Sequence, residues 1–112
     1  MSPDRLLAGA ASAPATSPAD PARPTLAFYT APGCGLCHES RLLLQEILEE
    51  RAGLGLPGCR VDERRIADDP AWEHRYLELI PVLAIGEAEL PLATSRSAMR
   101  AFLHAALDAG LA

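Results

Sequence analysis

The chain has 112 residues, 49% of them apolar, which suits one packed domain and is short for two. Its formal net charge of −5 argues against a nucleic-acid partner, because phosphate binding needs a surplus of cations. No run approaches the roughly 18–20 apolar residues of a spanning helix, so no membrane segment is expected.

Residues 1–24 hold five of the ten prolines and seven alanines, with one aliphatic pair, Leu6 and Leu7, and no aromatic residue. Such a segment buries too little apolar area to offset its ordering entropy. A disordered Pro/Ala-rich tail over 1–24 is expected, followed by a single domain over 25–112. A short helix within Leu6 to Ala13 would be marginal alone. The same stretch is too short and too diluted by Gly and Ser for a secretory signal, and Asp4 precedes it beside Arg5. A cytoplasmic protein is therefore expected, in which cysteines stay reduced unless they are catalytic, redox-sensing or metal-binding. All ten basic residues are Arg, which reads as a compositional habit without functional meaning.

Thr25 to Thr30 is a short apolar run with two aromatic residues, the pattern of a buried strand. Ala31-Pro32-Gly33 breaks it. From Cys37 to Arg51 the spacing is helical: Leu43, Leu44, Ile47 and Leu48 share a face, and Glu39, Gln45, Glu46, Glu49 and Glu50 lie largely opposite. Gly53 and Gly55 mark its end. Cys59 to Ile66 reads as a strand, but five charged residues place it at an edge. Asp69-Pro70 predicts a helix start, with Asp69 capping and Pro70 in the first helical position. Trp72, Tyr76 and Leu77 are expected on its buried face.

That helix must stop before Pro81, which pushes Ile80 toward extended geometry. Val82 to Ile85 is a second apolar strand. Gly86-Glu87 signals a turn, and Ala88 to Leu92 is the expected hairpin partner. Ser95 to Asp108 reads as a helix with Met99, Phe102, Leu103, Ala106 and Leu107 inward and Gly110 closing it. The order β-α-β-α-β-β-α predicts an α/β domain with a parallel pair early and an antiparallel hairpin late. No internal repeat is visible.

The chemistry is concentrated in Pro32-Gly33-Cys34-Gly35-Leu36-Cys37, between the first strand and the first helix. At a helix start the unpaired N–H groups and the dipole favour negative charge, so they stabilise a thiolate. Cys34, first and more exposed, is the expected nucleophile. Cys37, one turn deeper, is the expected resolving thiol. Gly35 is expected to let the chain turn between them.

This strand, motif and long helix, with the Ile80-Pro81-Val82 step before a late strand, resemble a glutaredoxin-like member of the thioredoxin superfamily over roughly residues 25 to 109. The resemblance implies a thioredoxin-like βαβαββα sandwich around a mixed sheet, and a thiol–disulfide oxidoreductase acting through Cys34 and Cys37. It gives Pro81 the family's cis proline facing the disulfide, and groups Ile80, Gly33 and Gly35 with Pro81 as substrate-binding residues. It further implies a monomer with no bound cofactor or metal. Its substrates would be disulfide-containing proteins or small disulfides, its electron donor glutathione or a protein reductant, and a reductase a partner.

The resemblance has gaps. Glutathione-using members carry a Lys shortly before the first cysteine, where this chain has Thr30 and Ala31. They carry Gly-Gly and an acidic residue after the late strands, where this chain has Leu92-Ala93-Thr94-Ser95. Of these, only the Thr94-Ser95 pair could offer hydroxyls and helix-start N–H groups to an anion. A thioredoxin-type buried Asp in the first strand is absent, with Leu26, Ala27 and Phe28 there instead. Arg96, at the start of the last helix, is the one candidate to replace the missing Lys. A protein reductant is therefore expected to serve better than glutathione, and N–H groups beside Pro81 are expected to be open to an extended peptide.

Other readings start from the same residues. Cys34-Gly35-Leu36-Cys37-His38 is also the attachment pattern of a c-type haem electron-transfer protein, with His38 as iron ligand and Met99 as a second. The absent signal and the two buried strands weigh against it. Cys34, Cys37, His38 and Cys59 make a nominal zinc or iron–sulfur set, but without a second paired motif. A non-enzymatic binding module on the same fold would leave two thiols at a helix start unexplained. Cys59 reads as a small buried residue, Arg41 as solvated, Trp72 and Tyr76 as core, and His74 and His104 as surface residues without partners.

Overall fold

The computed structural model describes residues 23–108. Most of the expected 1–24 tail, and the closing Gly110, lie outside the described residues.

Strand β1 (Thr25–Thr30) is the centre of the molecule. It pairs in parallel with β2 (Arg60–Arg65) and antiparallel with β3 (Val82–Ile85), which pairs antiparallel with β4 (Ala88–Leu90). The sheet order is β2-β1-β3-β4. An early parallel pair and a late hairpin are thus both present, and the architecture is thioredoxin-like. In the β1–β2 register Leu26 lies opposite Val61, Phe28 opposite Glu63 and Thr30 opposite Arg65. Alternation along a strand sends these three pairs to one face of the sheet.

That face packs on helices α1 (Gly35–Gly53) and α3 (Arg96–Leu107), with Leu26, Phe28, Leu44, Ile47, Met99 and Leu103 in its core. The other face, Ala27, Tyr29, Val82 and Ala84, is covered by the shorter α2 (Pro70–Tyr76) through Tyr76 and half-buried Trp72. Tyr29 stacks on Tyr76 at 4.2 Å and meets Trp72 edge-on at 5.7 Å. A central strand buried on both faces explains why the sequence there is apolar without alternation. Edge strand β2 instead carries five charged residues and leaves Val61 40% exposed.

The helix ends follow local chemistry. Asp69 Oδ1 accepts the Ala71 N–H at 2.9 Å with Pro70 in the first position, and Ser95 Oγ accepts the Ala98 N–H at 3.2 Å. The far end of α1 closes through Leu56 N–H to Arg51 O (3.0 Å) and Gly55 N–H to Ala52 O (3.1 Å). Gly55, at φ +74°, supplies the left-handed residue this closure needs.

Two expectations are corrected. Helix α1 begins at Gly35 rather than Cys37, and its buried stripe is Cys37, Ser40, Leu44, Ile47 and Arg51, with Leu43 and Leu48 only half-buried. A stripe of period 3.6 passing through a Ser and an Arg is invisible to a count of leucines. Leu77 is 57% exposed, because α2 ends at Tyr76 and Leu77 falls on its C-cap, off the buried face.

Candidate functional site

Strand β1 delivers the chain to the sharp turn Ala31-Pro32-Gly33. Gly33 has φ +75°, so the bend is made there and not at Gly35, contrary to expectation. Gly35 is the first residue of α1, and a Cβ built on it meets nothing within 4 Å. Cys34 is the N-cap of α1 in extended conformation (φ −88°, ψ 104°), and its Sγ accepts the Cys37 N–H at 3.0 Å. A sulfur therefore occupies the position usually held by a Ser, Thr or Asp oxygen. Cys34 and Cys37 are joined in a disulfide with Cα atoms 5.2 Å apart. Cys34 is half-buried while Cys37 is 1% exposed, so the first sulfur is the accessible one.

The pair opens on a cleft of about 690 Å³, lined by the turn, the first turns of α1 and two residues of β2, Glu63 and Arg65. Gly33 and Gly35 both lie on its wall. Thr30, at the buried end of β1, donates its hydroxyl to Glu63 Oε2 at 3.1 Å, and Arg41 Nε donates to Glu63 Oε1 at 3.0 Å. Arg41 is accordingly ion-paired rather than solvated. Its hydrogen bond is the main reason the Glu63 carboxyl sits below the usual range, against opposing burial and with help from Thr30. The Arg65 side chain makes no ion pair or hydrogen bond among the described residues and lines the same cleft.

Glu63 and Arg65 were not legible as site residues, because charge on an edge strand reads as solvation. The available signal was the alternation 61, 63, 65 in a strand parallel to the one that ends at the cysteines.

The Ile80–Pro81 bond is cis, and Pro81 is fully buried. Neither residue is among those lining the cleft. The Ile80 N–H, expected to be open to a peptide, donates to Tyr76 O at 3.1 Å, and the Pro81 carbonyl accepts the Ala93 N–H at 2.8 Å. These bonds tie the end of α2 and the loop after β4 to the proline. Arg96 does not replace the missing Lys: it pairs with Glu46 of α1 at 2.8 Å, outside the cleft. The Ser95 hydroxyl is already engaged as a cap, and Thr94 Oγ1 donates to Leu92 O at 3.4 Å.

The glutaredoxin-like domain family (DUF836) matches residues 25–108. The chain belongs to this family. Comparison with curated proteins gives no match.

Within this glutaredoxin-like domain of the thioredoxin superfamily, the remaining residues take definite places. Met99 is fully buried beside Leu26, Phe28 and Leu103, so it is core and has no path to an iron held at His38. Cys59, the third member of the nominal metal set with the cysteine pair, belongs to that same core, and burial pushes its thiol up. Among the described residues no group of three or more His, Cys, Asp or Glu side chains is placed to hold a metal. His74 is exposed, whereas His104 has a partner, Asp108, at 3.0 Å. No helix among the described residues is long and apolar enough to cross a membrane.

Proposed function

We propose that the protein is a thiol–disulfide oxidoreductase that exchanges the Cys34–Cys37 pair with protein or low-molecular-weight disulfides. The observation that carries this reading is the asymmetry of the pair at the start of α1: an accessible Cys34 sulfur bonded to a helix N–H, and a buried Cys37 behind it. An N–H aimed at Sγ, together with the helix dipole, stabilises Cys34 as a thiolate and so as attacker and leaving group.

In the reducing direction the Cys34 thiolate attacks one sulfur of the substrate disulfide. A mixed disulfide forms and the first substrate thiolate leaves, taking a proton from solvent. Cys37, deprotonated, then attacks Cys34 Sγ and expels the second substrate thiolate, which is likewise protonated. Two electrons and two protons have passed to the substrate, and the Cys34–Cys37 disulfide remains to be reduced by a donor thiol. Gly33 and Gly35 leave room for a substrate chain against the sulfurs. Ile80 and the buried Pro81, off the cleft wall, have a supporting role behind the site rather than contact with substrate. No resident cofactor or metal is invoked. Arg96 is committed to Glu46, so a protein reductant suits the site better than glutathione. A monomer in the cytoplasm is the setting proposed.

The test is a redox titration of the full chain with free thiols counted. One thiol is expected when oxidised (Cys59) and three when reduced, with a midpoint within about −270 to −120 mV. Three thiols at every potential would overturn the reading, and a Soret band with covalently bound haem would replace it with the c-type alternative.

A further inference from the structure

Strand β2 joins the redox cleft to a second depression. Behind the Arg41–Glu63 pair lies a groove of about 380 Å³ between α1 and the β2 edge, and its floor is Phe28, Leu44, Leu48 and Val61. The two cavities share Arg41 and Glu63, so the ion pair is the divide between them and belongs to both walls. Val61, Glu63 and Arg65 project from the same face of β2 at every second residue, making one wall that runs from the apolar groove to the disulfide. Among the described residues β2 pairs only with β1, so its outer backbone edge is open. In a strand otherwise made of Arg, Asp and Glu, Val61 is the single apolar side chain, and it is 40% exposed toward this groove.

We propose that cleft and groove form one extended site for a polypeptide disulfide. The substrate chain lies along the β2 edge with its cysteine at Cys34, and an apolar side chain near that cysteine sits between Phe28, Leu44, Leu48 and Val61. The inference rests on the oxidoreductase reading and narrows its substrate class to polypeptides. An extended chain gains main-chain hydrogen bonds from an open edge, while its alternate side chains fall on the groove side, the division of labour seen wherever a peptide is added to a sheet. The groove supplies the choice of sequence. A small thiol or disulfide without an apolar side chain reaches Cys34 but gains nothing beyond the Arg41–Glu63 divide.

The experiment uses the prereduced full-length protein in single turnover with homodimeric peptide disulfides. Each peptide is a run of serines with one cysteine and a single leucine placed one to four residues to either side. An all-serine peptide and 2-hydroxyethyl disulfide serve as references. At the best position leucine is expected to raise the second-order rate about tenfold over the all-serine peptide, the scale of one apolar group in a pocket. Val61→Glu and, separately, Leu48→Glu are expected to bring that ratio to about one. The ratio is read within each variant, so partial loss of folded protein does not mimic the effect.

Reduction of 2-hydroxyethyl disulfide with no leucine preference at any position would overturn the groove alone. A preference that both variants retain would do the same. Failure to reduce any of these disulfides would overturn the oxidoreductase reading and the groove with it.

Discussion

The two ends of α1 are built to opposite purposes. At the first end the cap is a sulfur, the first turn holds no acidic residue, and Leu36 stands 50% exposed beside the disulfide. At the other end Arg51, 7% exposed, donates from Nη1 to Asp108 Oδ2 at 3.0 Å and from Nη2 to the Pro57 carbonyl at 2.9 Å. A cation in the last turn also complements the helix dipole, as an anion does in the first. One end therefore offers its dipole to a reagent, while the other encloses a charged pair that ties α1 to α3 and to the loop before β2. About 21 Å of helix, 14 residues at 1.5 Å each, separates Cys37 from Arg51. Chemistry and anchoring should accordingly be separable by mutation.

The sharpest break of this comparison is at the reactive end. Cys34→Ser is expected to abolish disulfide exchange, whereas Cys37→Ser keeps the first step and accumulates a mixed disulfide visible by mass spectrometry. Serine is itself a favourable N-cap, so the reduced Cys34→Ser protein should match the reduced wild type within about 0.5 kcal/mol in urea unfolding. A large loss of stability would mean that the sulfur cap is structural.

At the anchoring end Arg51→Met leaves the buried Asp108 carboxylate without its guanidinium. The melting temperature should fall by roughly 10 °C or more, while exchange per folded molecule is unchanged. The same pair has an acid signature. The Arg51 hydrogen bond, aided by His104, holds the Asp108 carboxyl down at about 2 against its ordinary 3.8. A folded-state value below the unfolded one gives stability that is complete above about pH 4 and lost as pH falls toward 2. Urea midpoints of wild type and Arg51→Met should therefore converge over that window, and parallel curves would refute the assignment.

The smallest expected effect lies at the divide between cleft and groove. Arg41 and Glu63 are about 40% exposed, so Glu63→Gln should cost less than about 1 kcal/mol. It should, however, release the Arg41 charge beside the cysteines. Alkylation of Cys34 by anionic iodoacetate should then rise about two- to threefold relative to neutral iodoacetamide, and the gain should fade at high salt. An unchanged ratio would show that Arg41 exerts no field on the sulfur.

Much of this organisation is local and can be read along the chain. The motif between an apolar run and an amphipathic stretch placed the cysteines at a helix start, because strand and helix periodicities differ and the break between them is short. Asp69-Pro70 and Ser95 marked helix starts through hydrogen bonds that reach only two or three residues. The apolar run Thr25 to Thr30 identified the central strand, since only a strand covered on both faces tolerates that composition.

What the sequence alone did not determine is every pairing across distance. Arg96 could have faced the cleft or Glu46, Arg41 solvent or Glu63, and Arg51 solvent or Asp108; 50, 22 and 57 residues separate these partners. Long flexible charged side chains carry no periodic signal for their targets, and an ion pair forms wherever packing happens to bring the opposite charge within reach. The tertiary structure decides the Arg96 and Arg51 pairs by packing α3 against α1. It decides the Arg41 pair by setting β2 beside β1 in a register that puts Val61, Glu63 and Arg65 along one face. That parallel pairing, joined through α1 rather than a local turn, turns an edge strand that reads as merely solvated into a wall of the redox cleft.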